Sequence, residues 1–141
     1  MRAKSSGPCW DVTRPTDLAK ILIVEDNPDN MTLTVLLLES AGHTAITAVD
    51  AEAGLTLARA ELPDLILMDI QLPGMDGLQA TALLKGDAAT RAIPVIALTA
   101  LAMMGDEERI RAAGCDGYIA KPMAIHDFLS AVAARLATRL A

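Results

Sequence analysis

The chain has 141 residues, enough for one domain that buries roughly two-thirds of its unfolded surface without a disulfide or metal staple. Its net charge is −6, divided as +2 over residues 1–20 and −8 over residues 21–141, so the body would repel a nucleic-acid duplex or an anionic membrane. An apolar fraction of 52% excludes disorder, and 26 alanines beside only Trp10, Tyr118 and Phe128 as aromatics call for an aliphatic core with closely packed helices.

Residues 1–18 carry Ser-Gly-Pro and Arg-Pro-Thr-Asp punctuation and no apolar stretch of the secretory kind, so they read as an irregular leader before a domain over 19–141. Ile21–Val24 is a short continuous apolar run ending in Glu25-Asp26, the mark of a strand buried on both faces in a parallel sheet. Asn27-Pro28 then supplies an N-cap and a first-turn proline for a helix that runs to about Ala41 and stops at Gly42. Thr44–Val49 reads as a second strand, and Asp50 caps a helix to about Ala60. Leu65–Met68 is the third strand, ending at Asp69, and the loop Gln71–Asp76 leads to a helix from Gly77 to about Lys85. Pro94–Leu98 is the fourth strand, ending at Thr99, followed by a helix near Asp106–Ala113 that closes at Gly114. Gly117–Ala120 is a short fifth strand ending at Lys121-Pro122. The last helix spans roughly Ala124–Leu140, with Ile125, Phe128, Leu129, Val132, Leu136 and Leu140 along one face. Five strands alternating with five helices form a doubly wound α/β sandwich, for which the strand order 2-1-3-4-5 suits the size.

Open α/β sheets bind ligands at the carboxyl ends of their strands. Those ends carry Glu25 and Asp26, then Asp69, Thr99 and Lys121. Three converging carboxylates repel unless a cation joins them, and a hard divalent ion with oxygen ligands, magnesium above all, fits the set. Magnesium keeps waters and takes phosphate oxygens, so a phosphoryl group is its natural companion, with Lys121 as a point charge and the Thr99 hydroxyl as a donor. Asp69, directly after the most apolar strand, stands out as the nucleophile that would become an acyl phosphate.

ILIVEDNPDN, LILMDIQLPGMDG, PVIALTA and GCDGYIAKP together resemble, in order and spacing, the signatures of the receiver domain of two-component response regulators, over about residues 20–138. The resemblance implies a flavodoxin-like fold with Asp69 as phosphoacceptor, Glu25, Asp26 and Asp69 as magnesium ligands and Gln71 adding a backbone carbonyl. It further implies Thr99 as switch hydroxyl, Lys121 as phosphoryl ligand, Tyr118 as switch aromatic and a cis bond before Pro122. Among receivers, the sequence is most similar to stand-alone regulators of the bacterial cell-cycle type and to receivers attached to hybrid kinases. Departures are Glu25 in place of the commoner Asp, and Gln71 and Leu101 at positions that flank the phosphoryl group in the family. Implied partners are a sensor histidine kinase or histidine phosphotransfer protein and a downstream protein target, without nucleic acid or membrane; pairing with a second copy stays open.

That reading makes the chain a phosphorylation-switched module that is consumed as substrate rather than an enzyme. Only thirteen residues follow Phe128, so output is expected through partners or through passing the phosphoryl group onward. An aspartyl-phosphate hydrolase would need a second acid where Gln71 stands, a nucleotide-binding fold would need a glycine-rich loop after a strand, and a degenerate receiver would lack the intact Asp69, Thr99 and Lys121. Cys9 and Cys115 lack CxxC spacing and fit a reducing cytoplasm, with Cys115 expected as a small packed residue. His43 is expected as an ordinary loop residue, His126 as solvent-facing on the last helix although His126-Asp127 resembles a kinase's histidine box, and Met103-Met104 as core filler or partner surface.

Overall fold

The computed structural model describes residues 19–99, 106–120 and 125–138. Five strands and five helices alternate: β1 (Lys20–Val24), α1 (Pro28–Ser40), β2 (Thr44–Ala48), α2 (Ala51–Glu61), β3 (Leu65–Asp69), α3 (Gly77–Gly86), β4 (Val95–Thr99), α4 (Asp106–Ala112), β5 (Gly117–Ala120) and α5 (Ile125–Thr138). All neighbouring strands run parallel in one sheet of order β2-β1-β3-β4-β5, as the sequence suggested.

Alternate side chains of each continuous apolar run go to opposite faces, so one strand feeds two cores. Ile21, Ile23, Leu65 and Leu67 pack with Leu38 of α1 and with Phe128, Val132 and Leu136 of α5. Leu22, Val24, Ile66 and Met68 pack with Leu55 and Ala58 of α2 and with Ala80 and Leu84 of α3. Alanine at the α2 and α3 contacts (Ala51, Ala58 and Ala80) lets those helices lie close to the sheet.

The helix starts follow local chemistry. Asn27 Oδ1 accepts from the Asp29 and Asn30 amides, and Asp50 Oδ1 accepts from Ala53 N. Asp76 and Gln79 form a reciprocal capping box at α3, with Gln79 N donating to Asp76 Oδ1 at 2.8 Å and Asp76 N to Gln79 Oε1 at 3.2 Å. Helix ends differ by a residue or so from expectation: α1 stops at Ser40 and α2 continues to Glu61, ending with Leu62 at φ 45°. The expected extension of the last helix to Leu140 lies partly outside the described residues.

The amino edge of the sheet is held by side chains reaching across loops. Lys85 Nζ donates to the carbonyls of Arg91 and Ile93 and pairs with Asp116 at 3.0 Å, and Asp116 Oδ2 also accepts from Val95 N. Asp64 accepts from Lys20 N at 2.9 Å and returns a bond from its own amide to Lys20 O. His43 lies in the loop between α1 and β2, as expected, but it is buried there, and its Nδ1 accepts from Ala19 N at 3.2 Å. Its partner lies 24 residues away, which no local pattern reveals. Among the described residues no helix is long and apolar enough to cross a membrane.

Candidate functional site

Register alone brings the acids together. Val24 pairs with Met68, so Glu25 and Asp69 emerge side by side at the carboxyl edge, with Asp26 one residue beyond. Asp69 pairs with Leu98, which places Thr99 next to it on the following strand. One carboxylate oxygen from each of Glu25, Asp26 and Asp69 lies within 4.8 Å of the others. Glu25 and Asp69 are buried, Asp26 is exposed and Thr99 is buried.

The two buried acids are oriented by the backbone around them. Glu25 N donates to Ala48 O at 3.0 Å, and Glu25 Oε2 accepts from Asn27 N at 3.1 Å, so the end of β2 fixes its main chain and the turn into α1 its carboxylate. Gln71 N donates to Asp69 Oδ1 at 3.0 Å, a local turn that holds the carboxylate in one orientation. Two buried carboxylates and a third at the rim form an all-oxygen donor set suited to a hard divalent cation. The residues therefore fit magnesium by the chemistry and spacing of their donors.

Between the β3–α3 loop, Thr99 and α4 lies a cavity of about 230 Å³, lined by Gln71, Asp76, Leu78, Arg109 and Ile110 among others. A larger groove of about 370 Å³ lies away from the acids between α4, β5 and α5, with Arg111 and Tyr118 on its wall. Tyr118 is 40% exposed and lines this groove. Cys115 is half-buried against the α2–α3 core, with its sulfur 3.8 Å from Thr81 Oγ1. Burial pushes its thiol above the ordinary cysteine value, as expected of a packed residue.

Of the residues singled out in the sequence, Glu25, Asp26, Asp69, Gln71 and Thr99 meet at this edge, and Tyr118 stands two residues before the end of the neighbouring β5. Lys121 and Pro122 lie outside the described residues, as do Leu101, Met103, Met104, Cys9, Trp10 and the His126 side chain. Sequence reasoning overlooked the Asp76–Gln79 box that fixes the loop beside Asp69. Its signal was present, since an Asx residue followed three positions later by Gln is the pattern of a capping box.

Known proteins match this chain in sequence and in fold. The polar-differentiation response regulator DivK of Brucella anthropi is 51% identical over 112 residues, spanning 79% of this chain and 91% of the relative. The receiver domain of a sensor histidine kinase from Pseudomonas aeruginosa PAO1, solved with a magnesium ion coordinated in its active site cleft, superposes with a TM-score of 0.79 at 35% identity, over 84% of this chain and 98% of that one. A CheY-like receiver domain protein from Methanospirillum hungatei JF-1 gives 0.80 at 30% identity, over 86% and 96%. The family model of the response regulator receiver domain matches residues 21–133, every strand of the sheet but the first residue of β1 included. With the parallel 2-1-3-4-5 sheet and acids at its carboxyl edge, that match settles the family: this chain belongs to the response regulator receiver domains.

Proposed function

We propose that the protein is a single-domain response regulator, a receiver over residues 19–141 behind a leader of residues 1–18, that takes a phosphoryl group on Asp69. The donor is a phosphohistidine on a sensor histidine kinase or a histidine phosphotransfer protein. An Asp69 carboxylate oxygen attacks phosphorus, the phosphorus–nitrogen bond breaks, and the imidazole of the donor leaves with the electron pair. The observation that carries this reading is the meeting of Glu25, Asp26 and Asp69 within 4.8 Å beside the buried Thr99 in a receiver fold.

Glu25, Asp26, Asp69 and the Gln71 carbonyl would hold Mg2+, which when bound neutralises charge on the attacking and transferred oxygens. The Gln71 amide keeps Asp69 in a fixed orientation during attack. Thr99 and Lys121 take the phosphoryl oxygens, and the Thr99 hydroxyl moving toward them frees room for the Tyr118 ring to leave its exposed position. The groove between α4, β5 and α5 changes with it, which alters partner binding at that face or accompanies onward relay of the phosphoryl group. Loss of the group to water returns Asp69 to its starting state, so the chain assists its own phosphorylation and dephosphorylation without being a turnover enzyme. A reducing cytoplasm suits this role. The hydrolase reading is disfavoured because Gln71, two residues after Asp69, carries no charge to act as general acid or base.

Intact mass measured after incubation with magnesium and a small acyl phosphate tests the assignment. The wild-type protein should gain one phosphoryl group and Asp69→Asn none. Stoichiometric labelling of Asp69→Asn would refute it.

A further inference from the structure

Gly77, the first residue of α3, is buried and adopts no left-handed conformation, so its backbone would accept any residue. Space is what excludes a side chain. A Cβ at Gly77 would fall 2.1 Å from the Asp69 carbonyl oxygen and 2.9 Å from both the Asp69 carbonyl carbon and Ile70 Cα. All three are backbone atoms, so no rotamer change relieves the contact, and the two segments would have to part by about 1 Å. By contrast Gly74, in the same loop, has φ +75° and nothing within 4 Å of a built Cβ, so its requirement is conformational.

We infer that Gly77 is a positioning residue for phosphoryl transfer: its missing side chain lets α3 close against the main chain of Asp69 and so sets the Asp69 carboxylate. This rests on Asp69 as phosphoacceptor. The loop is closed by Gly77 N donating to Ile70 O at 3.0 Å, while Ile70 N donates to Leu98 O at 3.1 Å. Neither neighbour yields readily. The start of α3 is fixed by its capping box and by Thr81 Oγ1 donating to Gly77 O at 2.8 Å, and β3 is hydrogen-bonded between β1 and β4. A push at Gly77 is therefore delivered to Asp69, Ile70 and Gln71, the segment that carries the carboxylate and the amide donating to it at 3.0 Å. A misplacement of about 1 Å in a reacting group lowers rates by roughly a hundredfold.

Gly77→Ala tests this beside Leu84→Ala, which opens a cavity in the core between the sheet, α2 and α3, seven residues further along the same helix. Both are assayed at a temperature where circular dichroism shows them folded. The readouts are the maximal rate of phosphorylation by acetyl phosphate and the midpoint of a magnesium titration. Gly77→Ala should phosphorylate at least tenfold more slowly and need several-fold more magnesium, while Leu84→Ala stays within about twofold of wild type. A Gly77→Ala protein no more impaired than Leu84→Ala would overturn the inference while Asp69 still takes the label in wild type; a wild type that takes no label overturns both readings. Should Gly77→Ala fail to fold, the wild-type amides decide. Those of Gly77 and Gln71 should shift together with one midpoint as magnesium is added, and a Gly77 amide that stays still while Gln71 moves counts against the coupling.

Discussion

Asp26→Asn should make the magnesium-free protein more stable and the magnesium-loaded one relatively less so. Asp26 sits within 4.8 Å of oxygens of Glu25 and Asp69. Being exposed, it feels them through a medium close to water, where each repulsion amounts to about 0.9 kcal/mol at that separation. Two such pairs give nearly 2 kcal/mol at low salt, falling to about 1 kcal/mol where the screening length is about 8 Å. The amide is nearly isosteric with the acid, so the substitution removes charge and little else. In chelator at physiological salt, melting should therefore rise by roughly 3–5 °C for a domain of this size. Magnesium removes this lead: at a hundred times its dissociation constant it stabilises the wild type by about 2.7 kcal/mol. A tenfold weaker site would gain only about 1.4 kcal/mol under the same conditions, which cancels the advantage seen in chelator. The assay is thermal unfolding with and without magnesium at two salt concentrations. A variant that melts no higher than wild type in chelator and responds equally to magnesium would refute the convergence of these acids on a cation.

Three further outcomes are expected. Lys85→Met leaves the Arg91 and Ile93 carbonyls and Asp116 without their shared cation and should cost about 2 kcal/mol in urea unfolding; a loss below measurement error would show the clamp to be inert. Leu62→Gly relieves a left-handed residue at the end of α2 and should stabilise by about 0.5–1 kcal/mol, and a destabilised variant would contradict the strain. The hydrogen bond from Arg59 holds the Asp87 carboxyl below its ordinary value, with help from the Ala89 amide. A carboxylate depressed in the folded state stabilises above its unfolded pKa and loses that contribution as pH falls through the folded value. Arg59→Ala should therefore differ from wild type near neutrality and converge with it below about pH 4, whereas a constant difference across that range would reject the pairing.

What could be read in advance was whatever a short stretch of chain determines. Ile21–Val24 and Leu65–Met68 announce buried strands because both faces must be apolar, and a polar residue directly after each run falls at the carboxyl edge without further knowledge. Glu25, Asp26, Asp69 and Thr99 were legible for that reason. Asn27 and Asp50 were readable as caps because a cap acts on amides two or three residues away. Helix ends were less so, since Gly42 marks a stop without saying whether Ala41 completes the last turn. Long-range partners gave no local sign. His43 accepts from the Ala19 amide 24 residues away, Asp116 anchors Lys85 from 31 residues away, and the press of Gly77 on Asp69 exists only once α3 has folded back on the sheet.

The parallel sheet also separates two kinds of mutational consequence. A five-residue strand is about 16 Å long, roughly twice the screening length at physiological salt, and it divides the Lys85–Asp116, Lys20–Asp64 and His43–Ala19 ties at one edge from the carboxylates at the other. Exposed charges on one edge, Asp26 among them, scarcely sense those on the other. Sequence drift in the ties can therefore set the melting temperature, and drift among the acids can set cation affinity, with little trade between them. Combined substitutions drawn from opposite edges should behave additively, so this receiver can be tuned for durability and for signalling as nearly independent properties.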